Sequence, residues 1–158
     1  IFFFFFEASL RNWYVVNDGV MGGLSRGNLT LDSDGHGLFS GRISLENNGG
    51  FSSIRYDCGT IDLSAHQFIT LRVKGDGKRY QFRLKANQRD YYSYITYFET
   101  NGEWQDLKLP LKDMYPVFRG RRLQLPDFTG SSLEEIGILI GNKAAEAFEL
   151  RIDAIGLE

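Results

Sequence analysis

Residues 67–86 read QFITLRVKGDGKRYQFRLKA, two alternating stretches on either side of a Gly-Asp-Gly turn. Every second side chain is apolar in residues 67–74 and again in residues 79–86, which is the period of a strand with one buried face. Asp76-Gly77 accepts the positive φ that a tight hairpin requires. We therefore predict two antiparallel strands paired side by side. The side chains predicted to face the core are Ile69, Leu71, Val73, Tyr80, Phe82, Leu84 and Ala86.

The rest of the chain repeats this pattern of short strands and tight turns, and Asn101-Gly102 is a second hairpin signal. The 158 residues include 13 Phe, 8 Tyr, 2 Trp and 18 Gly, a composition that suits strands joined by turns better than helices. No linker or internal repeat interrupts the chain. We predict a single all-β domain over residues 1–158, an antiparallel β-sandwich or jelly roll. Further strands are predicted at residues 13–16, 29–32, 38–45, 51–56, 91–98, 104–109 and 136–140.

Few segments depart from the strand pattern. Short helical turns are predicted at residues 111–114 and 131–135, the second with a serine cap and acidic residues in its first turn. The apolar alternation of the C-terminal stretch changes phase near Asp153-Ala154, which predicts a β-bulge. The opening run Phe2–Phe6 is too short to span a membrane. It is interpreted either as an edge strand or as a peculiarity of the sequence.

Charge and the rarer residue types exclude several classes of function. Eighteen basic and 20 acidic side chains give a formal net charge of -2, so the all-over basic field of a general nucleic-acid binder is absent. The lone Cys58 excludes a disulfide framework and a zinc thiolate cluster. His36 and His66 match no nucleophile motif, so we expect no enzyme activity, no catalytic residues and no cofactor. Asp32 and Asp34 lack the rest of a calcium loop, so no metal site is predicted.

Polar side chains on the outward side of the predicted strands form the main candidate binding site. Pairing of the two central strands would bring their basic residues into one patch, because neighbouring strands lie about 4.8 Å apart. Arginines prefer planar partners, and aromatic rings stack on sugars or bases. On a concave sheet face such a patch would hold an extended partner, whereas the alternative is a merely solvated face. The candidate residues are Arg55, Arg72, Lys74, Gln81, Arg83, Lys85, Tyr92 and Tyr94.

A second candidate site is the glycine-rich loop that follows the first predicted strand. Its three glycines allow positive φ and close backbone approach, and its Asn and Asp side chains can accept bonds from loop amides. One interpretation is a ligand-binding lip at one end of the sandwich. The other is a structural corner held by Asp18, with Met21 in the core. The residues concerned are Asn17, Asp18, Met21, Gly22 and Gly23, together with Asn47 and Asn48 of a later turn.

Taken together, these motifs give the chain a specific resemblance. It resembles the complex I intermediate-associated protein 30 family over roughly residues 13–157. The most specific features are the first loop, the Asn-Asn-Gly-Gly-Phe turn and the Gly-Asp-Gly turn. The matching residues are Trp13, Asn17-Asp18-Gly19-Val20-Met21-Gly22-Gly23, Ser25, Phe39-Ser40-Gly41, Glu46-Asn47-Asn48-Gly49-Gly50-Phe51, Ser53, Arg55, Leu71-Arg72-Val73-Lys74-Gly75-Asp76-Gly77, Tyr80, Trp104, Pro110, Ile136-Gly137-Ile138-Leu139-Ile140 and Phe148 to Ile155.

The resemblance implies a galactose-binding-like jelly roll, the architecture that carbohydrate-binding modules also use, and it implies no catalytic residues. Mitochondrial members of the family assist assembly of respiratory NADH:ubiquinone oxidoreductase, and some plastid relatives act in RNA handling. We therefore expect an assembly-factor or chaperone-like domain that binds a protein partner, with respiratory-complex subunits among the candidates. A carbohydrate-binding module is the second hypothesis and an RNA-binding domain is the third.

No targeting or membrane-spanning pattern is present in the sequence. The expected location is therefore the bacterial cytoplasm, or the mitochondrial matrix for a eukaryotic chain, with no membrane insertion.

Overall fold

The computed structural model of the chain describes residues 2–5 and 10–158, and side chains are described for these residues except 2–5, 11, 20 and 21. Strands dominate this part of the chain, and the helical segments are short 3₁₀ turns. The strands are β1 (Phe2–Phe5), β2 (Trp13–Asn17), β3 (Arg26–Leu31), β4 (Gly37–Ile43), β5 (Ser52–Asp62), β6 (Phe68–Lys74), β7 (Arg79–Lys85), β8 (Ser93–Glu99), β9 (Trp104–Pro110), β10 (Tyr115–Phe118), β11 (Arg121–Arg122), β12 (Ser132–Ile140) and β13 (Glu146–Leu157). The 3₁₀ turns are η1 (Leu10–Asn12), η2 (Asp18–Met21), η3 (Glu46–Asn48) and η4 (Leu111–Asp113).

Two antiparallel sheets form a sandwich, as the alternation of the sequence predicted. Sheet A has the strand order β3-β4-β13-β6-β9, and β1 also pairs with β13. Sheet B has the order β11-β10-β8-β7-β12-β5-β2. The predicted all-β sandwich class is therefore confirmed.

The core lies between the sheets and takes alternate side chains from each. In β6 the buried residues include Leu71 and Val73, and in β7 they include Tyr80, Phe82 and Leu84. Burying a large apolar side chain contributes roughly 1.5–3 kcal/mol to the stability of the fold. The buried side chains of β6 and β7 therefore account for much of the hydrophobic stabilisation. The polar residues between them in sequence point away from the core, to the outer faces of the two sheets.

The hairpin predicted at Gly75-Asp76-Gly77 is wrong. Strand β6 belongs to sheet A, where it pairs with β9 and β13, whereas β7 belongs to sheet B, where it pairs with β8 and β12. The segment between them is a corner that crosses from one sheet to the other. The Asp76 carboxylate accepts bonds from the Tyr80 hydroxyl and the Glu149 amide there. A Cβ at Gly75 would lie 2.2 Å from the Thr100 side chain.

Asn101-Gly102 is likewise a crossing and not a hairpin, because β8 lies in sheet B and β9 in sheet A. Asp-Gly and Asn-Gly report a local left-handed backbone, and φ is indeed +85° at Gly77 and +84° at Gly102. That local preference is the same at a hairpin and at a sandwich corner. The sheet to which each flanking strand belongs is decided by long-range pairing.

The remaining local predictions divide clearly. The helical turn at residues 111–114 and the bulge between Ile152 and Ala154 are confirmed. Residues 131–135 do not form a helical turn, because β12 begins at Ser132 and pairs with β5 and β7 on its two sides. Tertiary pairing overrides the capping pattern there. Phe2–Phe5 is a strand, which agrees with one of the two interpretations of that run, and Phe6 lies outside the described residues.

Candidate functional site

The outer face of sheet B contains a depression of about 200 Å³, called the cleft below. Its walls come from neighbouring strands in register, because Arg83 is opposite Ile95 and Ile95 is opposite Tyr115. Gln81 is opposite Tyr97, two residues along the same strands and on the same face. The residues that line the cleft are Gln81, Arg83, Ile95, Tyr97, Tyr115, Val117, Gly120 and Arg122.

Arg83 lies on the floor of the cleft and is partly buried. Its Nη1 donates to Oε1 of Gln81 at 2.9 Å, and among the described residues no carboxylate lies within the 4.0 Å of an ion pair. Withdrawal from water, followed by the charge of Arg55, lowers the pKa of Arg83 to about 10, and the charge of Glu135 acts in the opposite direction. The guanidinium is therefore a cation held in a partly dry site without a paired anion.

The two tyrosines of the cleft are each covered on one side by an arginine. The Arg79 guanidinium lies 3.9 Å from the centre of the Tyr97 ring, and that of Arg122 lies 4.3 Å from the centre of the Tyr115 ring. Gln81 Nε2 donates to the Tyr97 hydroxyl at 3.3 Å, which leaves the hydrogen of that hydroxyl to be donated onward. The cleft therefore presents cations and hydrogen-bond donors.

Beyond Arg83 the same face continues across β12 to β5 and β2. Gly137 separates Arg83 from Arg55 in the register, so no side chain stands between the two arginines. The buried Glu135 accepts a bond from the Tyr14 hydroxyl at 2.7 Å. Burial, followed by this bond, raises the pKa of Tyr14 to about 12. The carboxylate nearest to the cleft is thus engaged with a tyrosine.

The structure does not bring the predicted patch together. Arg55, Gln81, Arg83 and Lys85 share the outer face of sheet B, and the Lys85 ammonium is bound to the Asp90 carbonyl at 2.9 Å. Arg72 and Lys74 of the same prediction lie on the outer face of sheet A, the opposite side of the sandwich, because β6 and β7 are in different sheets.

Tyr92 and Tyr94 are not in the cleft either. Tyr94 points to the core side of β8 and packs on Phe128 at 4.9 Å between ring centres, and Tyr92 precedes the strand and contacts Tyr94. Sequence reasoning missed Tyr97, Tyr115 and Arg122. Residues 91–98 are aromatic on both faces, so alternation alone could not assign their phase. Tyr115 and Arg122 come from short strands with no alternation to read.

The outer face of sheet A also carries basic and aromatic side chains, and there Arg72 and Arg151 contact carboxylates, whereas Lys74 and Arg42 contact none within the described residues. Arg72 contacts Asp106 at 3.0 Å and Asp153 at 3.6 Å, and it lies over the Trp104 ring. Arg151 contacts Asp32 at 3.2 Å and also bonds Glu149. We call Arg72, Arg151 and the residues around them that they contact the paired face. The charges of these two arginines are balanced without any partner.

Asp32, Asp34 and His36 place ligand-type atoms within 4.8 Å of one another. The Asp32 oxygens already accept bonds from the amides of Asp34 and His36, and contact the His36 ring and Arg151. Burial would raise the pKa of Asp32, but the bonds from His36 and Asp34 outweigh it and the pKa is lowered. The carboxylate is therefore saturated by protein donors, and this turn is part of the paired face.

The glycine-rich loop is organised around Asp18, which is buried. Its carboxylate accepts bonds from the amides of Ser25, Gly50 and Phe51 at 3.1, 2.6 and 3.3 Å. Burial would raise the pKa of Asp18, but these bonds lower it. A Cβ at Gly23 would lie 2.3 Å from the Asp18 carboxyl carbon. The loop and the later turn are thus joined by one buried carboxylate.

The other residues predicted for the loop region have varied surroundings. The Asn17 side chain accepts a bond from the Ser52 hydroxyl, and Gly22 has φ +86°. Asn47 and Asn48 are exposed and have φ of 56° and 60°. The Met21 side chain lies outside the described residues, so its predicted place in the core is not assigned.

A larger groove of about 540 Å³ opens at one end of the sandwich. Apolar side chains from Leu63, Phe68, Leu111 and Phe128 contribute to its walls, and His66 lies at its edge. None of the predicted site residues lines it. Among the described residues, no helix has the length and apolar character needed to cross a membrane.

The fold defines the class of protein as a β-sandwich of the kind seen in carbohydrate-binding modules. The family 11 module of Clostridium thermocellum, solved with a β-1,3-1,4-mixed-linked tetrasaccharide, superposes with a TM-score of 0.64 at 15% identity over 92% of this chain and 88% of that one. A family 30 carbohydrate-binding module gives a TM-score of 0.52 at 18% identity over 87% of this chain and 85% of that one. At these identities the likeness concerns the fold.

Residues 2–152 match the family described as Complex I intermediate-associated protein 30, and the chain belongs to that family. A curated relative from Mus musculus, named Complex I intermediate-associated protein 30, mitochondrial, is 24% identical over 177 residues. That match covers 96% of this chain and 53% of the relative. The chain therefore spans about half the length of the relative.

Proposed function

We propose that this chain is a non-catalytic binding domain that holds a protein partner in the cleft of sheet B, in an assembly-factor or chaperone-like role. Membership of the family supports the role, and the mouse relative carries the assembly-related name. The observation that carries the proposal is Arg83, a partly buried guanidinium on the cleft floor with Gln81 as its hydrogen-bond partner.

A cation withdrawn from water without a paired anion lowers the stability of the free protein. Such a residue is understandable where a partner supplies the missing acceptors. Tyr97 and Tyr115 add large amphipathic surfaces beside it, and Tyr and Arg are the side chains enriched at binding hot spots. The cleft therefore has the composition of a recognition surface.

The surroundings of the reactive side chains support a non-catalytic role. Burial raises the pKa of Cys58 to about 12, so its thiol is protonated and a poor nucleophile at neutral pH. His36 belongs to the paired face, where its ring contacts Asp32 and Trp104. Neither residue lines the cleft.

The test is a quantitative capture of partners from the native host, comparing three forms of the protein. Arg83→Glu reverses the charge on the cleft floor, and the matched control Arg42→Glu reverses an exposed arginine on the outer face of sheet A. A partner retained by the wild type and by Arg42→Glu, but lost from Arg83→Glu, would support the proposal. Equal retention by all three forms would refute it, provided that circular dichroism shows each to be folded.

Carbohydrate binding is the second candidate, and one observation favours it. The solved structures that share the fold include modules that bind oligosaccharides, and two tyrosines line the cleft here. Native gels cast with a mixed-linked β-glucan would test this candidate. Retardation of the wild type but not of a Tyr97→Ala, Tyr115→Ala variant would favour it over a protein partner.

RNA binding has less support. An RNA-binding role would need Arg55, Arg72, Arg83 and Lys85 to contact phosphates together, and Arg72 lies on the opposite side of the sandwich from the other three. A bacterial cytoplasmic location is the proposal for a bacterial chain, and the name of the mouse relative supports the mitochondrial matrix for a eukaryotic one.

A further inference from the structure

We infer that the segment recognised in the cleft is an extended stretch of polypeptide with carboxylate side chains spaced four residues apart. This inference rests on the proposed function, since it specifies which kind of protein segment the cleft holds. Charge complementarity, the supply of hydrogen-bond donors and the spacing of the cations carry it.

The first step concerns the sign of the charge. The charged side chains that line the cleft are Arg83 and Arg122, and Arg79 stands beside them over Tyr97. No carboxylate is among the lining residues. Glu135 accepts from Tyr14 but keeps a charge that acts on Arg83 without contacting it, and Asp127 contacts Arg122 at 3.3 Å. A ligand carboxylate would therefore meet a guanidinium with no described carboxylate in contact at Arg83, and at Arg122 it would share the cation with Asp127.

The second step concerns hydrogen bonding. The bond from Arg83 Nη1 to Gln81 Oε1, followed by the bond from Gln81 Nε2 to the Tyr97 hydroxyl, forms a chain of donors. Its last member, Tyr97, has its own hydrogen left to donate, and Arg83 has further N–H groups. The ligand must therefore be rich in acceptors, and a carboxylate pairs with a guanidinium through two parallel bonds.

The covered rings argue against a sugar as the occupant. A sugar stacks on a bare aromatic face, and here a guanidinium lies over one face of Tyr97 and of Tyr115. Those same guanidinium groups are placed to pair with carboxylates at the rim. Held against its ring, each arginine has lost part of its freedom before binding, so less entropy is lost when an anion arrives.

The third step concerns spacing. From Arg83 on β7 to Arg122 on β11 the path crosses β8 and β10, and strands lie ~4.8 Å apart, so three steps span about 14 Å. Arg122 is opposite Val117, two residues along β10 from Tyr115, which is in the row of Arg83, so the two Cα atoms lie about 16 Å apart. An extended chain rises ~3.3 Å per residue, so residues four apart lie about 13 Å apart on the same side. The long arginine and glutamate side chains make up the difference of about 3 Å for a segment running across the strands.

The probe is the capped peptide Ser-Glu-Ser-Thr-Ser-Glu-Ser, compared with the same peptide carrying Gln in place of both Glu. Binding is followed by nuclear magnetic resonance titration of backbone amides in the full chain. We expect shifts confined to β7, β8, β10 and β11, at least ~10-fold weaker binding of the Gln peptide, and weaker binding when NaCl rises from about 0.05 to 0.5 M. Arg83→Gln should abolish the shifts, whereas Arg42→Gln should leave them unchanged.

Two outcomes overturn the inference. Equal binding of the Glu and Gln peptides would show that the cleft does not read charge. Tighter binding of a short oligogalacturonate than of the Glu peptide would assign the carboxylates to a sugar. Failure here is distinguishable from failure of the proposed function. If native partners still require Arg83 while the acidic peptide does not bind, only the acidic segment is refuted. If native partners ignore Arg83, the proposed function itself is refuted.

Discussion

The two outer faces of this sandwich have similar side chains and opposite electrostatic arrangements. On the paired face, Arg72 and Arg151 each contact two carboxylates. On the face of sheet B, Arg55, Arg79 and Arg83 form no ion pair within the described residues. Both faces carry an aromatic ring under a guanidinium. The kind of residue is therefore the same, and what differs is that Arg72 and Arg151 contact counter-ions whereas Arg83 contacts none in the described part of the chain, although Arg122 at the edge of sheet B contacts Asp127.

This difference distinguishes arginines that contact counter-ions from an arginine that contacts none among the residues described. Exposed ion pairs contribute about 0–1 kcal/mol each to the stability of a protein. The paired face is therefore a solvated surface whose ion pairs add modestly to the stability of the fold. The cleft holds Arg83, a cation that no carboxylate of the described residues contacts directly. Arginine content alone would not distinguish the two faces, and their carboxylates do.

The largest expected effect concerns Asp18, whose contacts lie where the chain passes from sheet A to sheet B. We call these contacts the junction. Asp18 ties the loop after β2 to the corner where the chain passes from β4 of sheet A to β5 of sheet B. Asp18→Ala would leave three amides without an acceptor, and each such loss costs about 1–3 kcal/mol. We expect a decrease of about 3 kcal/mol or more in the free energy of unfolding, measured with urea.

Asp34→Ala is the matched control for that change. Asp34 is exposed, and its backbone N–H donates to the Asp32 carboxylate. The substitution changes only the side chain and therefore keeps this bond. Its effect should stay within about 0.5 kcal/mol. An unchanged urea midpoint for Asp18→Ala would mean that the buried carboxylate does not hold the corner.

The next effect compares one arginine from each face. Arg151→Met removes the cation that faces the poorly exposed Asp32 and should cost about 1–2 kcal/mol. Arg83→Met removes a cation that has no paired anion and should leave stability unchanged or raise it by up to about 1 kcal/mol. Thermal unfolding of the two variants side by side gives the sign. A larger loss for Arg83→Met would mean that the fold, and not a partner, requires this charge.

We expect the loss of stability at acid pH to come from the carboxylates of the paired face and the junction. The pKa values of Asp32 and Asp18 are lowered in the folded protein, so the unfolded chain binds more protons as the pH falls. Their contribution is complete above the ordinary Asp pKa of about 3.9 and is lost as the pH falls through the lower folded value. We expect the free energy of unfolding to decline below about pH 4.

Asp32→Asn sharpens this pH prediction. The variant should be less stable than the wild type at pH 6, and the gap should narrow as the pH falls below the ordinary Asp pKa, because the unfolded wild-type chain then takes up the proton. Arg83→Met should keep the wild-type slope, because it removes no carboxylate. A gap for Asp32→Asn that stays constant from pH 6 to pH 2 would contradict the role given to Asp32.

The sequence contained enough to predict which side chains face inward, but not which outward side chains meet. Alternation placed Arg72 and Arg83 opposite apolar residues, and both point outward. A Gly-Asp-Gly turn has the same backbone requirement at a hairpin and at a corner between sheets. The turn sequence therefore could not show whether Arg72 and Arg83 share one face. Long-range pairing of β6 with β9 and β13 settled it.

The cleft itself was predictable only in part, for related reasons. Gln81, Arg83 and Arg55 follow from strand phase, because their strands alternate clearly. Tyr97 does not, since its strand has aromatic side chains on both faces and its register with β7 is a tertiary property. Arg122 comes from a two-residue strand whose existence depends on the pairing of Val117 with it.

The smallest expected effect is the sharpest test of the independence of the two faces. Arg72 is about two-fifths exposed, and its partner Asp106 is more than three-quarters exposed, so water screens the pair strongly. Arg72→Gln keeps the length and polarity of the side chain and removes only the charge. We expect a loss of less than about 1 kcal/mol in the free energy of unfolding, a loss that added salt diminishes.

Affinity for whatever occupies the cleft should be unchanged in Arg72→Gln, because the core of the sandwich lies between Arg72 and Arg83. Titration of the partner against Arg72→Gln and Arg83→Gln under identical conditions measures this directly. If Arg72→Gln weakens binding as much as Arg83→Gln does, the two faces act together and the counter-ions of the paired face cannot be what separates a solvated surface from a binding surface.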